Sequence, residues 1–176
     1  MPVEPKHRAV KFPLKIILLS WLLVGTLDIL SAFVDYYIAT GKNPLAILSY
    51  IASGVFGKSA LGGGAGIMLA GLLLHYFIAC CFTLFFFWLY AKTNLLAVNR
   101  VLTGIAYGLF IWIIMNLAVV QLSGVPHGPV SAMKMGKVIK AALILICMIG
   151  LPLSFIAYKY THKTVAQPAG NNAQAL

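Results

Sequence analysis

The sequence predicts an all-α polytopic membrane protein with four transmembrane helices and a short amphipathic helix in the first loop. Three observations predict it. Hydrophobic residues make up 61% of the 176-residue chain and charged residues 9%, with a mean hydropathy of +0.96, so too little polar surface remains for a soluble domain. Four apolar runs, near residues 14–38, 67–90, 101–122 and 138–158, each reach the roughly 20 residues needed to cross a hydrocarbon core about 30 Å thick. Turn chemistry parts the runs, at Gly41-Lys42-Asn43-Pro44, at Lys92-Thr93-Asn94 and at Ser123-Gly124-Val125-Pro126-His127-Gly128-Pro129.

Residues 1–13 form a basic segment, with Lys6, Arg8 and Lys11 ahead of Lys15 in the first run. The apolar stretch 16–38 exceeds the roughly 7–15 residues of a signal-peptide core and lacks a small-x-small cleavage site, so a retained first span is expected. In the first loop, Asn43 can cap a helix and Pro44 suits its first turn. Leu45, Leu48, Ile51 and Val55 then recur at helical spacing, which predicts an amphipathic helix over 44–56, in the membrane interface or dipping back between the spans. The four-span domain covers 14–160, and the polar, small-residue tail 161–176 is expected to be disordered.

The chain has 13 Lys and Arg against three acids, a net charge of +10. The basic residues sit at the ends of apolar runs, which points to the lipid bilayer and its anionic head groups as partners and not to nucleic acid. Lys6, Arg8, Lys11, Lys15, Lys92, Arg100, Lys159 and Lys163 flank one side. Lys42, Lys58, Lys134, Lys137 and Lys140 flank the other. Eight against five predicts a multi-pass protein with both termini in the cytoplasm.

Two of the three acids, Asp28 and Asp35, lie in the first span. Seven residues apart, they return to within roughly 20° of one helix face, with Ser31 between them. A central Asp costs about 2.5–3.5 kcal/mol on the insertion scale, against about 0.3–0.6 recovered per Leu, Ile, Phe or Val. That face should therefore turn inward, and an intramembrane acid is a default functional-site hypothesis. At 1.5 Å rise per residue, His75 in the second span and Asn116 in the third lie at comparable depth. The expected site is a polar pocket of Asp28, Ser31, Asp35, His75 and Asn116 that opens outward, with Lys58 as ion-pair partner for Asp35. An Asp and a His buried together can share a proton. The alternative for His75 is a neutral ring donating to a backbone carbonyl.

Glycine rows predict close helix packing, Gly62 and Gly66 entering the second span and Gly104 and Gly108 in the third. Cys80, Cys81 and Cys147 lie in apolar stretches without a local His or carboxylate, so no metal site and no cofactor are expected. Gly57-Lys58-Ser59 ends like a phosphate-binding loop, but Ala52 stands where that motif needs glycine. No catalytic constellation emerges, and an enzyme is not the favoured class.

The span layout, with Gly25-Thr26-Leu27-Asp28 in the first helix, His75 in the second, Gly104 to Gly108 in the third and Gly124-Val125-Pro126 leading to the fourth, resembles small bacterial inner-membrane proteins of unknown function. The nearest are four-helix proteins linked to acid resistance. The resemblance covers most of residues 16–160, carries no diagnostic motif and transfers no catalytic residue. It implies an inner-membrane location and a role in proton or envelope stress. Three functions follow as expectations: a homo-oligomer that handles protons, an ion or a small solute; a non-catalytic membrane subunit seated on a partner through its glycine faces; and, third, a lipid-modifying enzyme using Asp28 and His75.

Overall fold

The fold is described by a computed structural model covering residues 11–93, 99–126, 128 and 134–165. The expected turn residues Asn94, His127 and Pro129, the basic Lys6 and Arg8, and the tail beyond residue 165 lie outside the described residues. The helices are α1 (Leu14–Thr40), α2 (Ala46–Phe56), α3 (Ala65–Lys92), α4 (Arg100–Leu122) and α5 (Met135–His162). All but α2 are long and apolar enough to cross a membrane, and the chain is a four-span membrane protein. Each spanning helix runs up to a turn or so past its predicted bounds. Hydropathy marks only the lipid-crossing length, whereas the intrahelical hydrogen-bond ladder continues into the interface.

The side-chain distribution follows from lipid as solvent. Large apolar residues such as Leu18, Leu22, Leu73, Phe77, Leu109, Ile113 and Leu143 face outward, while Ser20, Thr83, Thr103, Ser154 and Thr161 are buried. Four of these inward hydroxyls, those of Thr83, Thr103, Ser154 and Thr161, find backbone carbonyls. Thr83 donates to Ala79 O at 2.8 Å and Thr161 to Ala157 O at 3.1 Å within their own helices, while Ser154 of α5 reaches Arg100 O of α4 at 2.5 Å. Asn99 caps α4, its side chain accepting from the Val101 and Leu102 amides.

α1 lies between α3 and α5, and α5 lies along α4. The α4–α5 contact is close enough to bring backbone against backbone. A β-carbon at Gly108 would meet Ile146 Cα at 2.5 Å, one at Gly104 would meet Leu151 Cα at 2.8 Å, and one at Gly150 would fall on the Gly104 carbonyl oxygen and 3.0 Å from the Gly108 nitrogen. Gly104 and Gly108 therefore act as packing residues within the chain. Gly150 belongs to a five-residue π-turn, Ile146–Gly150, and a second π-turn occupies Met115–Val119 of α4.

The other predicted glycine pair does not pack. Gly62 and Gly66 are exposed, and a β-carbon at either would meet open space. Gly62 instead supplies a φ of +83° for the turn into α3. The glycine that brings a helix close in this region is Gly71, whose β-carbon would fall on the Leu48 carbonyl of α2.

α2 begins at Ala46, two residues later than predicted, because Asn43 Oδ1 accepts from the Leu45 amide in a turn that precedes the helix. It packs against α3 and buries Leu48, Ser49, Ala52 and Ser53. Its polar residues turn inward, while Val55 and Phe56 are exposed. The segment after α4 docks on it, the Gly124 amide donating to Gly54 O at 3.0 Å.

The two ends of the bundle differ. The principal core lies toward the N-terminus of α1, where Phe86, Phe87, Tyr90, Tyr107, Ile111, Leu153 and Ala157 are buried, with Phe12 stacked on their edge at 4.7 Å from the Phe87 ring. Tyr107 closes this end further by donating to Phe82 O at 2.6 Å. Toward the α2 end the helices diverge, and cavities open.

Candidate functional site

Between α1, α2 and the turn into α3 lies a cavity of about 750 Å³. Ala32, Asp35, Tyr36 and Ala39 of α1 line one side, Ala46, Ile47, Ser49 and Tyr50 of α2 the opposite one, and Leu61, Gly62, Gly63 and Met68 the third. Its size falls in the range of small-molecule sites, roughly 300–1,000 Å³. A shallower groove of about 420 Å³ runs between α1 and α5, lined by Leu27, Leu30, Ser31, Val34, Asp35, Ile38, Ile144 and Met148. Asp35 borders both spaces.

Asp35 Oδ1 accepts from Lys140 Nζ at 2.5 Å, the one ion pair among the described residues. This corrects the expected pairing with Lys58, which is exposed in the 3-10 turn Gly57–Ala60. Depth explains the choice. Asp35 and Lys140 each lie five residues from the α2 end of their helix, hence about 7.5 Å in at 1.5 Å per residue. Adjacent helices at equal height can pair, whereas Lys58 is carried by a turn that packs beside α2. With side chains 37% and 51% exposed, Asp35 and Lys140 form a weak pair, worth at most about 1 kcal/mol.

Ser49 is the unsatisfied polar group of the cavity wall. The residue is 3% exposed, and its Oγ has no hydrogen-bond partner among the described residues. By contrast, Ser53 one turn later donates to Tyr50 O at 2.6 Å. Tyr50 donates from its hydroxyl to Pro126 O at 3.4 Å, and burial pushes the phenol's pKa up from its ordinary value, so it remains neutral throughout the physiological range.

Asp28 and His75 do meet, deeper in the bundle and off the cavity wall. The His75 ring is buried between α1 and α3, its Nε2–H donating to Gly25 O at 2.8 Å, and the half-buried Asp28 carboxylate is close enough for the two charges to interact. The hydrogen bonding of His75 is that of the alternative, a ring donating to a backbone carbonyl. Because a carbonyl oxygen only accepts, this bond places a proton on Nε2. The α1–α3 seam around the pair is held by Trp21 Nε1–H donating to Tyr76 O at 2.7 Å and by a 2.8 Å bond between the Thr26 and Tyr76 hydroxyls. Gly25 leaves room for the Tyr76 ring, which a β-carbon there would meet at 3.0 Å.

The remaining expected members do not join. Ser31 donates to Asp28 O of its own helix at 2.7 Å and faces the shallow groove. Asn116 donates to Trp112 O at 2.9 Å, and its backbone oxygen accepts from Gln121, so its hydrogen bonds stay within α4. Rise per residue placed Asn116 at the right height, but its azimuth is set by how Gly104 and Gly108 dock on α5 and by the π-turn that contains it. The expected pocket therefore divides into a deep Asp28–His75 pair and a cavity with Asp35 in its wall. Sequence reading missed Ser49 and Lys140 as site residues. The signals were present, a serine pair at i and i+4 on an otherwise apolar helix and a lysine at the same depth as Asp35.

The deep pair gives a test of its own. His75→Phe keeps a ring but removes the donor, so it should lower stability by about 0.5–1.5 kcal/mol. Asp28→Asn removes a costly charge that accepts no side-chain hydrogen bond here, so stability should hold or rise. Denaturation in mixed micelles measures both, and a drop of several kcal/mol for Asp28→Asn would make the aspartate a structural lock instead.

No protein-family model matches this chain, and no curated protein or solved structure matches it either.

Proposed function

We propose that this protein sits in the bacterial inner membrane with both termini cytoplasmic and handles a small solute through the cavity between α1 and α2, which opens on the outer side. The observation that carries the reading is the asymmetry of the bundle. One end is filled by an aromatic core, and the other holds a cavity of about 750 Å³ walled by an acid and by a buried hydroxyl that has no partner among the described residues. Four helices are few for a complete translocation path, so a homo-oligomer is the form in which solute would cross.

A proton-handling role is the second reading, and the Asp28–His75 pair favours it. His75, buried and bonded to the Gly25 carbonyl, sits beside Asp28 three residues further along α1, which brings an imidazole and a carboxyl together inside the membrane. The resemblance to acid-resistance proteins points the same way. Of the two glycine faces behind the subunit reading, Gly104 and Gly108 are covered by α5 of the same chain, while Gly62 and Gly66 stay exposed.

The test is ligand-induced thermal stabilisation of the protein in lipid nanodiscs, screened against small ions, amines, carboxylates and neutral polar solutes. Any stabilising solute should lose its effect in Ala32→Phe and Ala46→Trp, which place rings in the cavity. A solute effect unchanged in both variants would remove the cavity from consideration, and a screen in which nothing stabilises the wild type would sink the reading.

A further inference from the structure

We infer that the cavity takes an organic ammonium with an apolar body, bound to Asp35 in place of Lys140. The inference rests on the cavity reading above and names its ligand class. Among the described lining residues Asp35 contributes the only charged side chain, and it is an acid in a chain that has three acids against 13 Lys and Arg. Lys140 does not line the cavity; it reaches Asp35 from α5, on the far side of the shared wall.

The Lys140 ammonium already shows the interaction the ligand would make, an N–H donated to Asp35 Oδ1 at 2.5 Å. It is an internal competitor. Its side chain is 51% exposed on a flexible four-carbon stem, so it can swing into the interface and leave the carboxylate to another cation at little cost. A ligand ammonium approaching through the cavity would form the same charge-assisted bond from the other side. The rest of the lining suits the remainder of such a molecule: Ala32, Ala39, Ile47, Leu61 and Met68 offer apolar surface, and Tyr36 and Tyr50 offer rings of the kind that receive cations. Ser49 Oγ, 3% exposed and without a hydrogen-bond partner among the described residues, offers a second polar contact.

The competitor relation makes the proposal testable through effects of opposite sign. The probe is 1-naphthylmethylammonium, with 1-naphthaleneacetate and 1-naphthylmethanol as anionic and neutral counterparts, titrated onto the protein in phosphatidylcholine nanodiscs. The ammonium should bind best of the three. Asp35→Asn should weaken it about tenfold and leave the neutral probe unchanged, Lys140→Gln should tighten it about threefold or more by removing the competitor, and Ser49→Ala should weaken it without lowering the melting temperature of the free protein. Asp35→Glu, which keeps the charge, should restore part of the binding and guards against misfolding of Asp35→Asn.

A preference for the acetate, equal binding of all three probes, or a loss of ammonium affinity in Lys140→Gln would each overturn the ammonium assignment. If the acetate or the alcohol is the one that binds, and Ala46→Trp abolishes it, the cavity reading survives while the ligand class falls. If no probe responds to Ala32→Phe or Ala46→Trp, both fall. Adding phosphatidylethanolamine to the discs identifies the natural source: competition with the probe assigns the ammonium to a lipid headgroup, and no competition assigns it to a free amine.

Discussion

Gly150→Val is expected to cause the largest loss of stability of any single substitution in the membrane domain. The new β-carbon falls on the Gly104 carbonyl and within 3.0 Å of the Gly108 nitrogen, so the obstruction on both contacts is backbone. A side chain can turn aside, but two helices docked at glycine can only separate. Overpacking in a well-packed core typically costs about 1–3 kcal/mol, and a clash between backbones belongs at or above the top of that range. The loss should appear as a fall in the denaturant midpoint in mixed micelles. Gly136→Val, where a β-carbon meets open space on the same helix, is the control and should change little. If the two variants unfold alike, α4 and α5 are not docked at Gly150.

Gly71→Val is the second. Its β-carbon would occupy the position of the Leu48 carbonyl, the point where α2 rests on α3. α2 has only 11 residues, too few to be stable without the surface it packs against. Pushing it outward should therefore open the cavity wall formed by Ser49 and Tyr50 as well as destabilise the fold, by about 2 kcal/mol or more. A cysteine at position 49 should be slow to react with a membrane-impermeant maleimide in the parent protein, since residue 49 is 3% exposed, and should react at least tenfold faster when Gly71→Val is added. Unchanged labelling would mean that α2 holds its place by other contacts. The variant should also lose the solute-induced stabilisation of the wild type, which ties the packing of α2 to the proposed function.

These two glycines show how differently sequence and structure reveal this molecule. The Gly104 and Gly108 pair is legible at once because small-xxx-small spacing puts both residues on one face of a helix. Its partner is not legible, since nothing in the spacing distinguishes a helix of the same chain from one of another. Gly62 and Gly66 have the same spacing and pack against nothing, because one is in a turn with positive φ and the other lies at the exposed entry to α3.

The acids follow the same pattern. Composition and the cost of burying charge determined, with no structure, that the chain crosses a membrane four times and that Asp28 must turn toward other helices. Each of those conclusions depends only on how many apolar residues stand in a row and on the energy of a charge in lipid, and both quantities are local. Depth is local too, so the level of His75 with Asp28 was calculable from the rise per residue. Azimuth is not. Which way a helix faces is decided by the close packing of its neighbours, and so only the tertiary structure separated Asn116 from the pair, joined Asp35 to Lys140 and not to Lys58, and turned Ser49 into the wall of a cavity.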